Sequence, residues 1–159
     1  MRKLGKYICT AALLLASVCA HARSMTSARR DFIKGPMTVK ILRIIDGDTV
    51  VVRAHVWIGE NMDTSVRFSG MDAPEMHAHC YKERVAARAA KAAVAKLLKD
   101  NKMVISNIRL EKYAGRVLAH VETTDGLDIG RYMIKKGLAR PYYGGHRKPW
   151  CTPSGDYRP

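Results

Sequence analysis

The sequence predicts a mainly β chain with helices (α+β): a five-stranded OB-like barrel carrying one long amphipathic helix and a second, shorter one. Two observations predict it. Five short segments rich in β-branched residues are separated by turn residues, and one long run of three- and four-residue apolar periodicity interrupts them. Strands gathered around a single long helix suit a small closed antiparallel barrel, and five of them fit the OB-like form.

The first of these segments, Val39 to Ile45, is β-branched and largely apolar, and Asp46-Gly47-Asp48 after it supplies a turn. Thr49 to Trp57 reads as the second strand and Ser65 to Gly70 as the third, with Gly59 to Asp63 as the hairpin loop between them. From Tyr81 to Lys99 the period changes. Val85, Ala86, Ala89, Ala90, Ala93, Val94, Leu97 and Leu98 recur at helical spacing with Lys and Arg between them, the pattern of an amphipathic helix. Lys102 to Leu110 and Gly115 to Thr123 return to strand character, with a turn near Tyr113-Ala114. Leu127 to Lys136 reads as the shorter helix, stopped by Gly137. After Pro141 the chain is rich in Gly, Pro and aromatic residues and shows no periodicity.

The ends organise differently. Arg2, Lys3 and Lys6, the uncharged apolar stretch Ile8 to Ala20, and Ala20-His21-Ala22 read together as a signal peptide over residues 1–22. A membrane anchor is the alternative, but those 13 apolar residues are too few to span a bilayer. Export is therefore expected, to the periplasm or the medium. Residues 23–36 read as a basic mobile arm, 37–151 as the folded domain and 152–159 as a C-terminal tail.

Charge and cysteine count narrow the partner and the compartment. The formal net charge is +14, and cleavage after Ala22 would remove three positive charges and no negative ones, leaving +11 on 137 residues. Such a charge suits a polyanionic partner, either nucleic acid or an anionic membrane surface. Cleavage would also leave only Cys80 and Cys151. In an oxidising compartment two cysteines most simply form one disulfide, with free thiols as the alternative. Closing a loop of that length would contribute roughly 4 kcal/mol through the unfolded chain.

Against this basic background two acidic clusters stand out, Asp46-Gly47-Asp48-Thr49 and Asp72-Ala73-Pro74-Glu75. Oxygen donors without a Cys/His set favour a hard cation, Ca²⁺ or Mg²⁺, over zinc. Arg67 precedes the second cluster and Arg116 closes a Lys-Tyr-Ala-Gly-Arg run, so carboxylates for a cation are joined by two arginines suited to phosphate. The plainer readings are a turn for Asp-Gly-Asp and a solvated strand face for Arg67. A rival metal site is offered by His77, His79 and Cys80, whose more common fate is a surface loop.

Ile-Asp-Gly-Asp-Thr-Val (45–50), Val-Arg-Phe (66–68), Met-Asp-Ala-Pro-Glu (71–75) and Lys-Tyr-Ala-Gly-Arg-Val-Leu-Ala (112–119), in that order, resemble the staphylococcal nuclease (thermonuclease) family. Gly-Gly-x-x-x-Pro-Trp-Cys (144–151) looks like the ending of its exported bacterial members. The resemblance implies a calcium-dependent phosphodiesterase acting on DNA and RNA with low sequence specificity and leaving 3′-phosphates. It implies Asp48, Asp72 and the Ala73 carbonyl as ligands of one Ca²⁺, with Asp46 assisting through water. Glu75 would orient or deprotonate the attacking water, and Arg67 and Arg116 would grip the phosphate. Lys112 and Tyr113 would contact the nucleotide's terminal phosphate, and Tyr142 or Tyr143 would lie near the base. The family usually has threonine where this chain has Ala73, and Ala114 is an extra residue ahead of Gly115-Arg116. A monomer is expected. The competing expectation is a non-catalytic OB-fold module that holds nucleic acid or another polyanion without cutting it.

Overall fold

The computed structural model describes residues 32–111 and 115–158. The expected signal peptide, the arm as far as residue 31, and Lys112, Tyr113 and Ala114 lie outside the described residues. The elements run β1 (Phe32–Ile33), β2 (Met37–Ile44), β3 (Thr49–Trp57), β4 (Glu60–Phe68), β5 (Gly70–Asp72), α1 (Tyr81–Leu97), β6 (Lys102–Leu110), β7 (Arg116–Glu122), α2 (Ile129–Lys135) and β8 (Arg140–Tyr142).

Strands β6, β2, β3, β4 and β7 pair in that order, and β6 pairs with β7 to close the ring. The five-stranded OB-like barrel is therefore the observed fold. Its closure differs from the all-antiparallel expectation, because β4 and β7 pair parallel, from Ser65 against Arg116 to Phe68 against Ala119. A parallel pair needs a long crossover, and β5, α1 and β6 supply it. Alternation along the strands sends Val39, Ile41, Val50, Val52, Val66 and Phe68 into one core with Met71, Met103 and Ile105. The β2–β3 register slips between Ile41 and Arg43, leaving Leu42 as the extra residue of a bulge that bends the strand around the barrel.

Two boundaries move. Trp57 pairs with Glu60, so the chain turns over Ile58 and Gly59 and β4 starts at Glu60; the expected loop from Gly59 to Asp63 is mostly strand. Gly59 has φ 79°, a left-handed backbone that glycine adopts without steric cost at the second central position of this turn. The reach of Glu60 to Asp63 was hidden because this hairpin extends beyond the core and its residues are exposed. The expected arm also ends early, since Phe32 and Ile33 pair with Arg109 and Ile108 of β6.

Helix α1 buries Ala87, Ala90 and Val94, small residues that let it lie close to the barrel. Helix α2 starts at Asp128, whose Oδ1 accepts the Arg131 N–H at 2.9 Å. Neither helix, nor any other among the described residues, is long and apolar enough to cross a membrane. The segment after Tyr142 is not a loose tail: Cys151 bridges to Tyr157, and the Tyr157 ring stacks on buried Trp150 with centroids 5.8 Å apart.

Candidate active site

The turn between β2 and β3 and the end of β5 meet at one rim of the barrel, so the two acidic clusters come together. Asp46 Oδ1 accepts the Asp48 N–H at 3.0 Å, which fixes the turn locally. Gly47 has a different task from a flexible turn residue. A Cβ there would lie 2.7 Å from the Ala90 Cβ and 2.9 Å from the Ala73 Cβ, so only glycine lets α1 and the second cluster close over the turn. Gly47→Ala should therefore destabilise the protein by about 1–3 kcal/mol through overpacking. Urea denaturation reads this directly; an unchanged midpoint would show that α1 yields freely.

Asp48 is 2% exposed. Its Oδ1 accepts the Thr49 hydroxyl at 2.8 Å and Arg67 Nη1 at 2.9 Å, while Oδ2 accepts the Ala73 N–H at 3.0 Å. Burial lifts the Asp48 carboxyl to about 6; the Arg67 guanidinium pulls against this and Asp46 adds to it. Arg67 stands opposite Thr49 on β4 and is 7% exposed, so it is not on a solvated strand face. It spans both clusters, since its Nη2 donates to Asp72 Oδ1 at 3.3 Å.

Asp72 is fully buried and gathers three arginines. Besides Arg67, Arg140 donates to Oδ2 from Nε at 3.2 Å and Nη2 at 3.0 Å, and Arg147 donates to Oδ1. Arg147 reaches further: Nη1 donates to Glu75 Oε1 at 2.6 Å and Nη2 to the Ala73 carbonyl at 3.4 Å. Burial disfavours that guanidinium's charge, but the hydrogen bonds to Glu75 and Asp72 outweigh it and hold its pKa above the ordinary value. Glu75 is positioned in turn by α1, where Glu83 Oε1 accepts its N–H at 3.1 Å.

Sequence reasoning missed Arg140 and Arg147. The signal available was indirect: Cys80 and Cys151 are joined by a disulfide with Cα atoms 6.5 Å apart. Residue 151 must therefore sit at the start of α1, a few residues from Glu75, and bring the preceding arginines with it. The same bond removes Cys80 from the rival zinc set, and His77 and His79 are exposed beside it.

Tyr142 and Tyr143 line a cavity of about 650 Å³ together with Arg67 and Glu111, while Lys112 and Tyr113 lie outside the described residues. Tyr142 is fixed by its hydroxyl donating to the Gly145 carbonyl at 2.8 Å, whereas Tyr143 is exposed. Arg116 begins β7 and forms an ion pair with Glu111 at this cavity. It does not stand among the ion pairs of Asp48, Asp72 and Glu75.

Comparison with known proteins bears on the family of the chain. Residues 65–152 match the family model described as staphylococcal nuclease homologue. The chain belongs to that family. The matched segment of this staphylococcal nuclease homologue spans Arg67, Asp72, Glu75, Arg116, Arg140 and Arg147, and Asp46 and Asp48 precede it. An Escherichia coli protein described as an uncharacterized endonuclease is 24% identical over 103 residues, which is 65% of this chain and 60% of that protein. The chain thus spans less than two thirds of that relative's length.

The donor set fits a hard cation. Asp48, Asp72, Glu75 and the Ala73 carbonyl present only oxygen, and a cationic group already touches three of the four, in the form of the Arg147 guanidinium. Among the described residues, no three carboxylate, imidazole or thiol side chains stand close enough to share one ion as they are now arranged.

Proposed function

We propose that this staphylococcal nuclease homologue is an exported, calcium-dependent enzyme that hydrolyses phosphodiester bonds of DNA and RNA with low sequence specificity, leaving 3′-phosphates. The observation that carries the reading is the buried Asp48–Arg67–Asp72 bridge beside Glu75, a joint cation-and-phosphate site in a strongly basic chain. Asp48, Asp72 and the Ala73 carbonyl would hold one Ca²⁺, with Asp46 supporting the turn. Bound there, the ion supplies positive charge against the phosphate and a place for the attacking water.

The protein's own groups do the rest. Glu75 orients the water and accepts its proton at a carboxylate oxygen as the water oxygen bonds to phosphorus. Arg67 and Arg116 donate to the non-bridging oxygens, where negative charge grows as the water oxygen adds to phosphorus, before the electron pair of the breaking bond passes to the 5′-oxygen. The leaving 5′-oxygen then takes up a proton. Arg116 exchanges Glu111 for phosphate in this reading. Tyr142 and Tyr143 offer ring faces to a base, and stacking tolerates any base, which supports the low specificity. The disulfide supports an oxidising compartment, hence export to the periplasm or medium.

Digestion of plasmid and RNA by the oxidised protein, with Ca²⁺ or with a chelator, tests the proposal. Calcium should permit cleavage and chelation should abolish it. Glu75→Gln should lower cleavage by about 10²–10⁴-fold while nucleic-acid binding persists. No cleavage under any condition, with Glu75→Gln binding like the unmodified protein, would instead make this a non-catalytic OB-fold binding module.

A further inference from the structure

We propose that Arg147 is a tethered cation that competes with a divalent ion for Asp72, the Ala73 carbonyl and Glu75, held in place by the Cys80–Cys151 disulfide. This rests on the cation reading above and adds a device to it. Three donations from one guanidinium converge on those three groups, so the side chain fills the space in which an ion would meet them. As long as it does, the carboxylates of Asp48, Asp72 and Glu75 face the guanidinium groups of Arg67, Arg140 and Arg147. Within these ion pairs three charges of each sign offset one another, which weakens the field that would attract a divalent ion. Withdrawal of Arg147 restores a net negative site.

The chain around Arg147 is built for a bounded excursion. Gly144 and Gly145, with φ 103° and 90°, precede it, and a Cβ at either would meet nothing within 4 Å. Packing does not explain these glycines; a backbone that turns where L side chains rarely go does. On the far side the chain is anchored twice. Trp150 is buried with the Arg140 guanidinium 4.0 Å from its ring centre, and Cys151 is bonded to Cys80. Between the two glycines and these anchors the Arg147 side chain is 38% exposed, so solvent can receive it when it leaves. Arg140 is placed otherwise: over the Trp150 ring and donating to the Lys148 carbonyl, it stays on Asp72 Oδ2 when Arg147 departs. Short tethering keeps a competitor at a local concentration on the order of millimolar, which an incoming ion must overcome.

Calcium titration by isothermal calorimetry, with no nucleic acid present, tests this without reference to activity. Arg147→Gln should bind Ca²⁺ about 5- to 150-fold more tightly than the unmodified protein, the usual span of a coupling between two exclusive occupants. Lys148→Gln removes the same charge one residue away and should change affinity little, as for a screened surface charge. The Cys80→Ser/Cys151→Ser double variant, confirmed folded by circular dichroism, should tighten binding by less than Arg147→Gln and add nothing in the Arg147→Gln background. Equal affinities for Arg147→Gln and the unmodified protein would overturn the competition, as would an equal gain from Lys148→Gln. A further gain from cysteine replacement in the Arg147→Gln background would overturn the tether. Absence of calcium binding in every variant, Arg147→Gln included, would sink the cation reading and this inference with it.

Discussion

Arg67→Gln should lose about 3–5 kcal/mol of folding stability and about 10²–10³-fold in phosphodiester cleavage. The two losses come from one position. Arg67 is buried between Asp48 and Asp72 and donates to both, so its removal leaves carboxylates in the protein interior with fewer cationic partners. The burden falls mainly on Asp48. Asp72 keeps Arg140 and Arg147, whereas Arg67 is the guanidinium that holds the Asp48 carboxyl below where burial alone would put it. Glutamine can still donate from its amide NH2 but brings no charge and no guanidinium fork. Arg67→Lys should recover part of the stability and little of the rate, since the donors of an ammonium sit on one nitrogen and do not reproduce the rigid planar fork that reaches Asp48 and Asp72 from separate nitrogens. Urea unfolding and single-turnover cleavage at a temperature where the variant is folded separate the effects. Full stability in Arg67→Gln would mean that the bridge is dispensable; full cleavage by the folded variant would remove Arg67 from the phosphate.

How much of this was legible in the sequence depended on the range of the interaction. The barrel strands and α1 announce themselves because Val50, Val52 and Val66, or Ala90 and Val94, repeat at spacings set by their own element. The parallel pairing of β4 with β7 does not, since it is decided by how the ring closes after α1 has crossed it. Within the site, Asp48, Asp72 and Glu75 were conspicuous as carboxylates in a basic chain, and the turns that carry them are local. Arg140 and Arg147 meet Asp72 across 68 and 75 residues from a segment with no period to mark it. Gly47 illustrates a third case. Its presence was plain and its reason was not, because the atoms that exclude a side chain belong to α1 and to Ala73.

Asp48 should make the protein less stable as pH rises from about 4 to about 6, by about 3 kcal/mol in the absence of divalent ions. The sign follows from its raised pKa. In the unfolded chain this carboxyl gives up its proton near the ordinary value of 3.8, while in the folded protein it keeps it to about 6. Between those values the folded state binds more protons, so the stability present below 3.8 is lost as pH climbs through 6. Asp48→Asn isolates the effect, because the altered hydrogen bonding to Arg67 adds an offset that does not vary with pH. The difference in unfolding free energy between the two proteins, followed in chelator from pH 4 to 7, should move in favour of the variant as pH rises. A constant difference would mean that Asp48 titrates normally. The consequence reaches the site's chemistry. A carboxylate that costs the fold its charge, yet keeps contacts to Thr49, Arg67 and Ala73 in place, is arranged for a ligand that favours the ionised form. A divalent ion is such a ligand, and its affinity should fall below pH 6 as it competes with the proton that burial has made Asp48 reluctant to release.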